Sequence, residues 1–198
     1  MTESMVVRRI VWLAVFGYLL TACAGGPSGS GSFIIREDVD VRPEVQADFE
    51  KAVILLQKEE YERGIRLLNR VVERSEKSVT PYINLGIAYR KTNDLKRAEE
   101  VLDKALKLNP NHPAANNEMG MVYRKIGKFS EARRTYERVL ERFPKFYPAR
   151  KNLGILCDLY INDLRCAMAN YEIYNKADPG DKSVIMWIAD LRNRMGQK

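Results

Sequence analysis

One pattern is written twice in this chain, in the same register. Leu85-Gly86-x-x-Tyr89 is followed by Ala98, Leu102, Ala105 and Pro110, and Met119-Gly120-x-x-Tyr123 by Ala132, Tyr136, Val139 and Pro144. Each position of the second set lies 34 residues after its counterpart in the first. A fixed period of that length, with small, aromatic and proline positions at constant offsets, predicts a helix–turn–helix hairpin that stacks on copies of itself. Gly86 and Ala98 mark where helix A and helix B of one hairpin approach closely, with Tyr89 and Leu102 filling the space beside them. Pro110 closes helix B, because proline lacks the helical N–H and restricts the residue before it. Asn93-Asp94 and Gly127-Lys128 fall where the hairpin must turn.

The period extends in both directions. Residues 45–78 form a degenerate first copy in which Ala52 replaces Gly86, Leu55 replaces Tyr89 and Gly64 stands where Ala98 does. Its helix A carries Phe49, Ala52, Val53 and Leu56 at helical spacing, and its helix B Ile65, Leu68, Val71 and Val72. Residues 79–112 and 113–146 are the clear copies. Residues 147–181 form a fourth, with Cys157 at the tyrosine position. Gly154 to Ala167 is one residue longer than Gly86 to Ala98, so one residue is inserted in the A–B turn. Residues 182–198 read as a capping helix with Val184, Trp187, Ile188 and Leu191 inward. Asp190, Arg192, Asn193 and Arg194 supply the polar outer face that the end of such an array needs.

From residue 45 to 181 the chain resembles the tetratricopeptide repeat (TPR) family. The resemblance implies an all-α superhelix of about four hairpins plus the cap, with helix A residues lining a concave groove. On that register the groove is lined by Asn84, Ile87 and Arg90, by Asn117, Met121 and Arg124, and by Lys151, Asn152 and Ile155. Asparagine offers a donor and an acceptor to an extended peptide backbone, and arginine suits a carboxylate. The competing reading is that these are ordinary solvated polar positions.

The N-terminus reads as an address. Arg8-Arg9 precedes an apolar run from Ile10 to Leu20, too short to span a bilayer core of about 30 Å. Leu20-Thr21-Ala22-Cys23 resembles the lipobox of bacterial lipoproteins, which implies removal of residues 1–22 and acylation of Cys23. The alternative is an ordinary signal peptide with an incidental cysteine. Ala24 follows the cysteine where an inner-membrane retention signal would have aspartate, so in a Gram-negative host an outer-membrane anchor facing the periplasm is expected. Several acyl chains, at about 0.8 kcal/mol per buried CH₂, would make that anchor stable. Residues 24–32, AGGPSGSGS, are a flexible tether with a reach of roughly 15–18 Å. Residues 33–42 are an extended lead-in, and Pro43 suits a first helical turn.

Once Cys23 is assigned to the lipid, Cys157 and Cys166 remain, on facing helices of the fourth copy. In an oxidising compartment they are a disulfide candidate, and otherwise two buried thiols. The net charge of +7 is spread along the chain and no nucleic-acid motif accompanies it. His112 is the one histidine, and no Gly-x-Ser-x-Gly, phosphate loop or Cys-x-x-Cys occurs. No catalytic residue, metal, cofactor, small-molecule substrate or nucleic acid is therefore expected. The repeats and the lipobox together resemble envelope TPR lipoproteins, and are similar to type IV pilus pilotins, which help an outer-membrane secretin localise and assemble. The expected role is an anchored protein–protein scaffold supporting such a machine. The alternative is a docking subunit that recruits cell-wall or other envelope enzymes.

Cys23→Ser should leave unprocessed precursor and abolish acyl-chain labelling. Mass spectrometry finding a mature, lipid-free protein that begins elsewhere would overturn the anchor.

Overall fold

The 34-residue period is carried by the backbone as well as by the side chains. In this computed structural model, which describes residues 42–196, a left-handed residue ends helix A in each of the first three hairpins. These are Glu59 (φ 60°), Asn93 (φ 64°) and Gly127 (φ 80°). The amide that follows returns to the same helix position each time: Glu60 to the Leu55 carbonyl, Asp94 to Tyr89 and Lys128 to Tyr123, at 2.8–2.9 Å. Such a bond satisfies a carbonyl that the helix end would leave orphaned. Cys23, residues 1–22, the tether and residues 33–41 lie outside the described residues.

Eight of the helices pair into four hairpins: α1 (Pro43–Gln57) with α2 (Tyr61–Arg74), α3 (Val79–Lys91) with α4 (Leu95–Leu108), α5 (Pro113–Lys125) with α6 (Phe129–Arg142), and α7 (Tyr147–Leu156) with α8 (Leu164–Ala177). A ninth, α9 (Lys182–Arg194), packs on α8 as the cap. The described residues contain no strand. Each B helix also packs on the A helix of the next hairpin, which makes one continuous stack. Along the stack α1 touches α3, α3 touches α5 and α5 touches α7, whereas no two of α2, α4, α6 and α8 make comparable contact. Helices that crowd one another lie on the inside of a curve, so the A helices form the concave layer. The B helices bury only a stripe, such as Ala98, Leu102 and Ala105 of α4.

The inserted residue of the fourth hairpin takes a specific form. Beyond Leu156 the helix widens into a π-helical turn, Cys157–Ile161, and the left-handed residue is Asn162 (φ 59°). Asp163 N–H then bonds the Cys157 carbonyl at 2.8 Å, the position that Tyr89 and Tyr123 occupy, but one residue further round. A single insertion is thus absorbed without shifting α8, as π-bulges commonly allow. Cys157 and Cys166 are joined across this turn, with Sγ atoms 2.09 Å and Cα atoms 5.9 Å apart.

The close approach inside each hairpin differs in detail from the expectation. A Cβ on Gly86 would meet the Leu102 side chain at 2.5 Å, rather than Ala98. Gly120 faces Tyr136 and Gly154 faces Tyr171 at the same distance. The large B-helix residue leans onto the glycine, and Ala98 is small because it too is fully buried. The cap also departs from its expected polar face, since Ile185 and Met186 are exposed beside its charges.

Gly86→Leu and Gly120→Leu should each overpack a hairpin and cost about 1–3 kcal/mol or more. Gly180→Ala, whose added carbon would meet only Asp178 at 3.6 Å, serves as the near-neutral control. Thermal melts in which all three variants match the parent would misplace the hairpin contact.

Candidate functional site

Helix register places the sequence-derived groove residues in three rows, one per A helix. Ile83, Asn117 and Lys151 share one repeat position; Asn84, Glu118 and Asn152 the next; Ile87, Met121 and Ile155 the one after; and Arg90 and Arg124 another, with Lys91 and Lys125 following. The structure brings much of this set together. Asn152 Nδ2 donates to Asn117 Oδ1 at 2.9 Å, so two of the three asparagines form a rung between α5 and α7. Asn84 and Ile87 are buried on α3, while Met121, Asn152 and Ile155 are half-buried.

Two of the expected docking cations are engaged within the chain. Arg90 Nε donates to Glu118 Oε2 at 2.8 Å, and both side chains are almost wholly buried. Burial pushes the Glu118 carboxyl up from its ordinary range, against the pull of Arg90. Arg90 is therefore first a counter-ion to the neighbouring repeat, not a group held out for a partner. Lys151 pairs with Asp181 and lies over the rings of Tyr174 and Trp187. Asp181 also caps α9 by accepting from the Ser183 and Val184 amides, so Lys151 helps to fasten the cap.

Arg124 is disposed differently. Its guanidinium sits 5.5 Å from the Tyr160 ring centre, and its Nε is buried with no hydrogen-bond partner among the described residues. Burial, together with Arg90, Arg124 and Lys91, pushes the neighbouring Lys125 down from its usual value. Arg90, Lys91, Arg124 and Lys125 thus form one positive cluster at the C-terminal ends of α3 and α5, with Glu118 as the buried carboxylate among them. Glu118 is the sole acid among the helix A positions that the register turns inward in these two repeats. That it closes on Arg90 follows from how neighbouring A helices stagger, which the period alone does not give. Glu99 likewise pairs with Lys128 of the next hairpin at 3.2 Å.

Comparison with known proteins agrees with this architecture. Residues 79–145, the two clear repeats, match the family model described as tetratricopeptide repeat. No curated protein sequence matches the chain. Similar solved structures include MamA, from residue 41 to its end, of Desulfovibrio magneticus RS-1 (24% identity, 79% of this chain and 88% of that chain covered, TM-score 0.67). Others are TTC0263, a thermophilic TPR protein of Thermus thermophilus (21%, 75% and 81%, TM-score 0.66), and pilF of Pseudomonas aeruginosa (19%, 77% and 69%, TM-score 0.71). At these identities the likeness establishes the fold, an all-α TPR superhelix.

The buried pair sets a pH dependence. Without Arg90, Glu118 keeps its burial and loses an opposing cation, so its folded pKa rises further above that of the unfolded chain. The native state then binds the proton more tightly, and stability is lost as pH rises from the unfolded value through the folded one. Arg90→Met should be more destabilised at pH 8 than at pH 5, by about 1.4 kcal/mol per pH unit of added separation. Urea denaturation giving equal losses at both pH values would show that Glu118 does not depend on Arg90.

Proposed function

We propose that this chain is a membrane-anchored, non-enzymatic docking protein whose concave face receives an extended, acidic segment of a protein partner within an envelope machine of the pilus or secretin kind. The observation that carries the reading is the positive cluster of Arg90, Lys91, Arg124 and Lys125 around a single buried carboxylate. A carboxylate-bearing segment would relieve the mutual repulsion of these cations. Asn152, half-buried and held by its bond to Asn117, is the amide on this face with remaining capacity for a partner's backbone groups. Each neutral hydrogen bond contributes about 0.5–1.5 kcal/mol and those to charged groups about 1.5–3. The cations therefore dominate affinity, and Asn152 contributes to register.

The anchor rests on Leu20-Thr21-Ala22-Cys23, and the pilus-type assignment on the resemblance to pilotin lipoproteins. The fold likeness to Pseudomonas aeruginosa pilF is in keeping with that assignment.

Lys91→Ala/Arg124→Ala/Lys125→Ala should lose its partner in a crosslinking pull-down from membranes while keeping its helicity and its lipid. Arg90 is left in place because removing it would strand Glu118. Capture by the parent chain should fall as salt approaches about 1 M, where screening acts over about 3 Å. Undiminished capture by the triple variant, with loss instead from substitutions on exposed faces of α4 and α6, would move docking to the convex side.

A further inference from the structure

The period continues for half a repeat beyond the fourth hairpin. Each helix A position of α7 recurs in α9 after 35 residues, the length of the fourth copy: Leu153 as Ile188, Gly154 as Ala189 and Cys157 as Arg192. The capping helix α9 is thus a fifth helix A, and no helix of the described residues packs on it as its helix B. Burial records the difference. Ala52, Gly86, Gly120 and Gly154 are buried beneath their own B helices, whereas Ala189 is exposed. Ile185 is 45% exposed, where Tyr82 in the same repeat position is 8%.

The result is a groove of about 430 Å³ between Glu172, Asn175 and Lys176 of α8 and Ile185, Ile188 and Ala189 of α9. A second groove is built from the equivalent residues one repeat earlier, Glu137, Leu140 and Glu141 of α6 with Arg150 and Leu153 of α7. There the far wall is a helix B, because Cys166 and Asn170 of α8 close it. The same site therefore occurs once with a helix B seated and once without.

We propose that the α8–α9 groove is a docking site for an amphipathic helix of another protein, which seats against α9 as its helix B. This is a helix-in-groove mode of recognition, at the end of the stack and separate from the concave face. A second copy of the chain has no such helix to offer from its described residues, since α2, α4, α6 and α8 each already lie between two A helices. The hairpins themselves specify the incoming helix. Where helix A carries alanine, at Ala52, helix B answers with Gly64, whose added Cβ would lie 3.5 Å from the Ala52 carbonyl oxygen. Glycine accordingly belongs opposite Ala189, with a leucine four residues on, as Gly64 is followed by Leu68. The repeat position of Arg192 is faced by the residue just before that small one: Arg97 lies over Tyr89, and Cys166 is bonded to Cys157. Opposite Arg192 the complement is an acid. Arg192 gives one hydrogen bond to Glu172 at 3.4 Å and keeps further donors for it.

The test uses the full-length chain and a fluorescent peptide of residues 60–75 carrying Arg63→Glu, which supplies the glycine, the leucine and the acid. Binding is followed by anisotropy and by the gain in helicity, since an isolated segment this short is marginally helical in water. Ala189→Phe, which fills the groove from an exposed position, should weaken binding about tenfold or more. The parent should prefer this peptide to the one that keeps Arg63, and Arg192→Glu should reverse the preference. Lys91→Ala/Arg124→Ala/Lys125→Ala should bind as the parent does. Binding indifferent to Ala189→Phe, an unreversed preference, or loss of binding in the triple variant would overturn the proposal. If Ala189→Phe impairs folding, as judged by circular dichroism, Ile185→Glu must weaken binding in its place. Sedimentation should give the same mass for the parent and for Ile185→Glu. A parent dimer that Ile185→Glu dissociates would assign the groove to a second copy and overturn the proposal.

Discussion

The structure depends on one steric constraint, the gap between helix A and helix B of each hairpin where no Cβ fits. Gly86, Gly120 and Gly154 each admit a large B-helix side chain to 2.5 Å from where a Cβ would sit. In the first hairpin the roles reverse, and Gly64 on helix B admits Leu56 from helix A. Glycine within a helix costs roughly 0.5–1 kcal/mol relative to alanine. A fully buried tyrosine or leucine, at roughly 1.5–3 kcal/mol for an aliphatic side chain, more than offsets that. The contact fixes how the two helices cross, the crossing fixes where the next hairpin lands, and the landing places the A helices side by side on the inner face.

The proposed function uses that inner face because stacking turns a repeat position into a row. A single lysine on a helix is a solvated charge, but Lys91 and Lys125 recur one period apart, next to Arg90 and Arg124. Stacking then concentrates like charge at one edge of the face. The single carboxylate within it, Glu118, is consumed by Arg90. What remains is positive and partly desolvated, the character that the proposed acidic segment would complement.

Much of the fold was legible in the sequence because it is periodic. The glycine offsets gave hairpin boundaries, Pro110 and Pro144 marked helix ends, and counting from Gly154 to Ala167 revealed the extra residue of the fourth hairpin. Its form as a π-turn was not legible, since insertion length does not say whether a helix widens or a loop grows. The candidate site was legible as a register, but not the internal pairing of two of its cations, Arg90 and Lys151. Periodicity assigns Arg90 and Lys151 to the concave layer. It is silent on whether a neighbouring repeat, through Glu118, or the cap, through Asp181, has already claimed them. Those are contacts between residues 28 and 30 apart, set by the stagger of helices and not by any local pattern.

The central claim is that partners are received on the concave face. A photo-crosslinking residue placed at Ile155, half-buried on the open end of that face, and separately at Lys104, exposed on the outer helix α4, tests it in the intact envelope. The account predicts that illumination joins a protein partner to the chain carrying the probe at position 155 and leaves the position-104 chain free. Crosslinks formed from position 104 alone would contradict it.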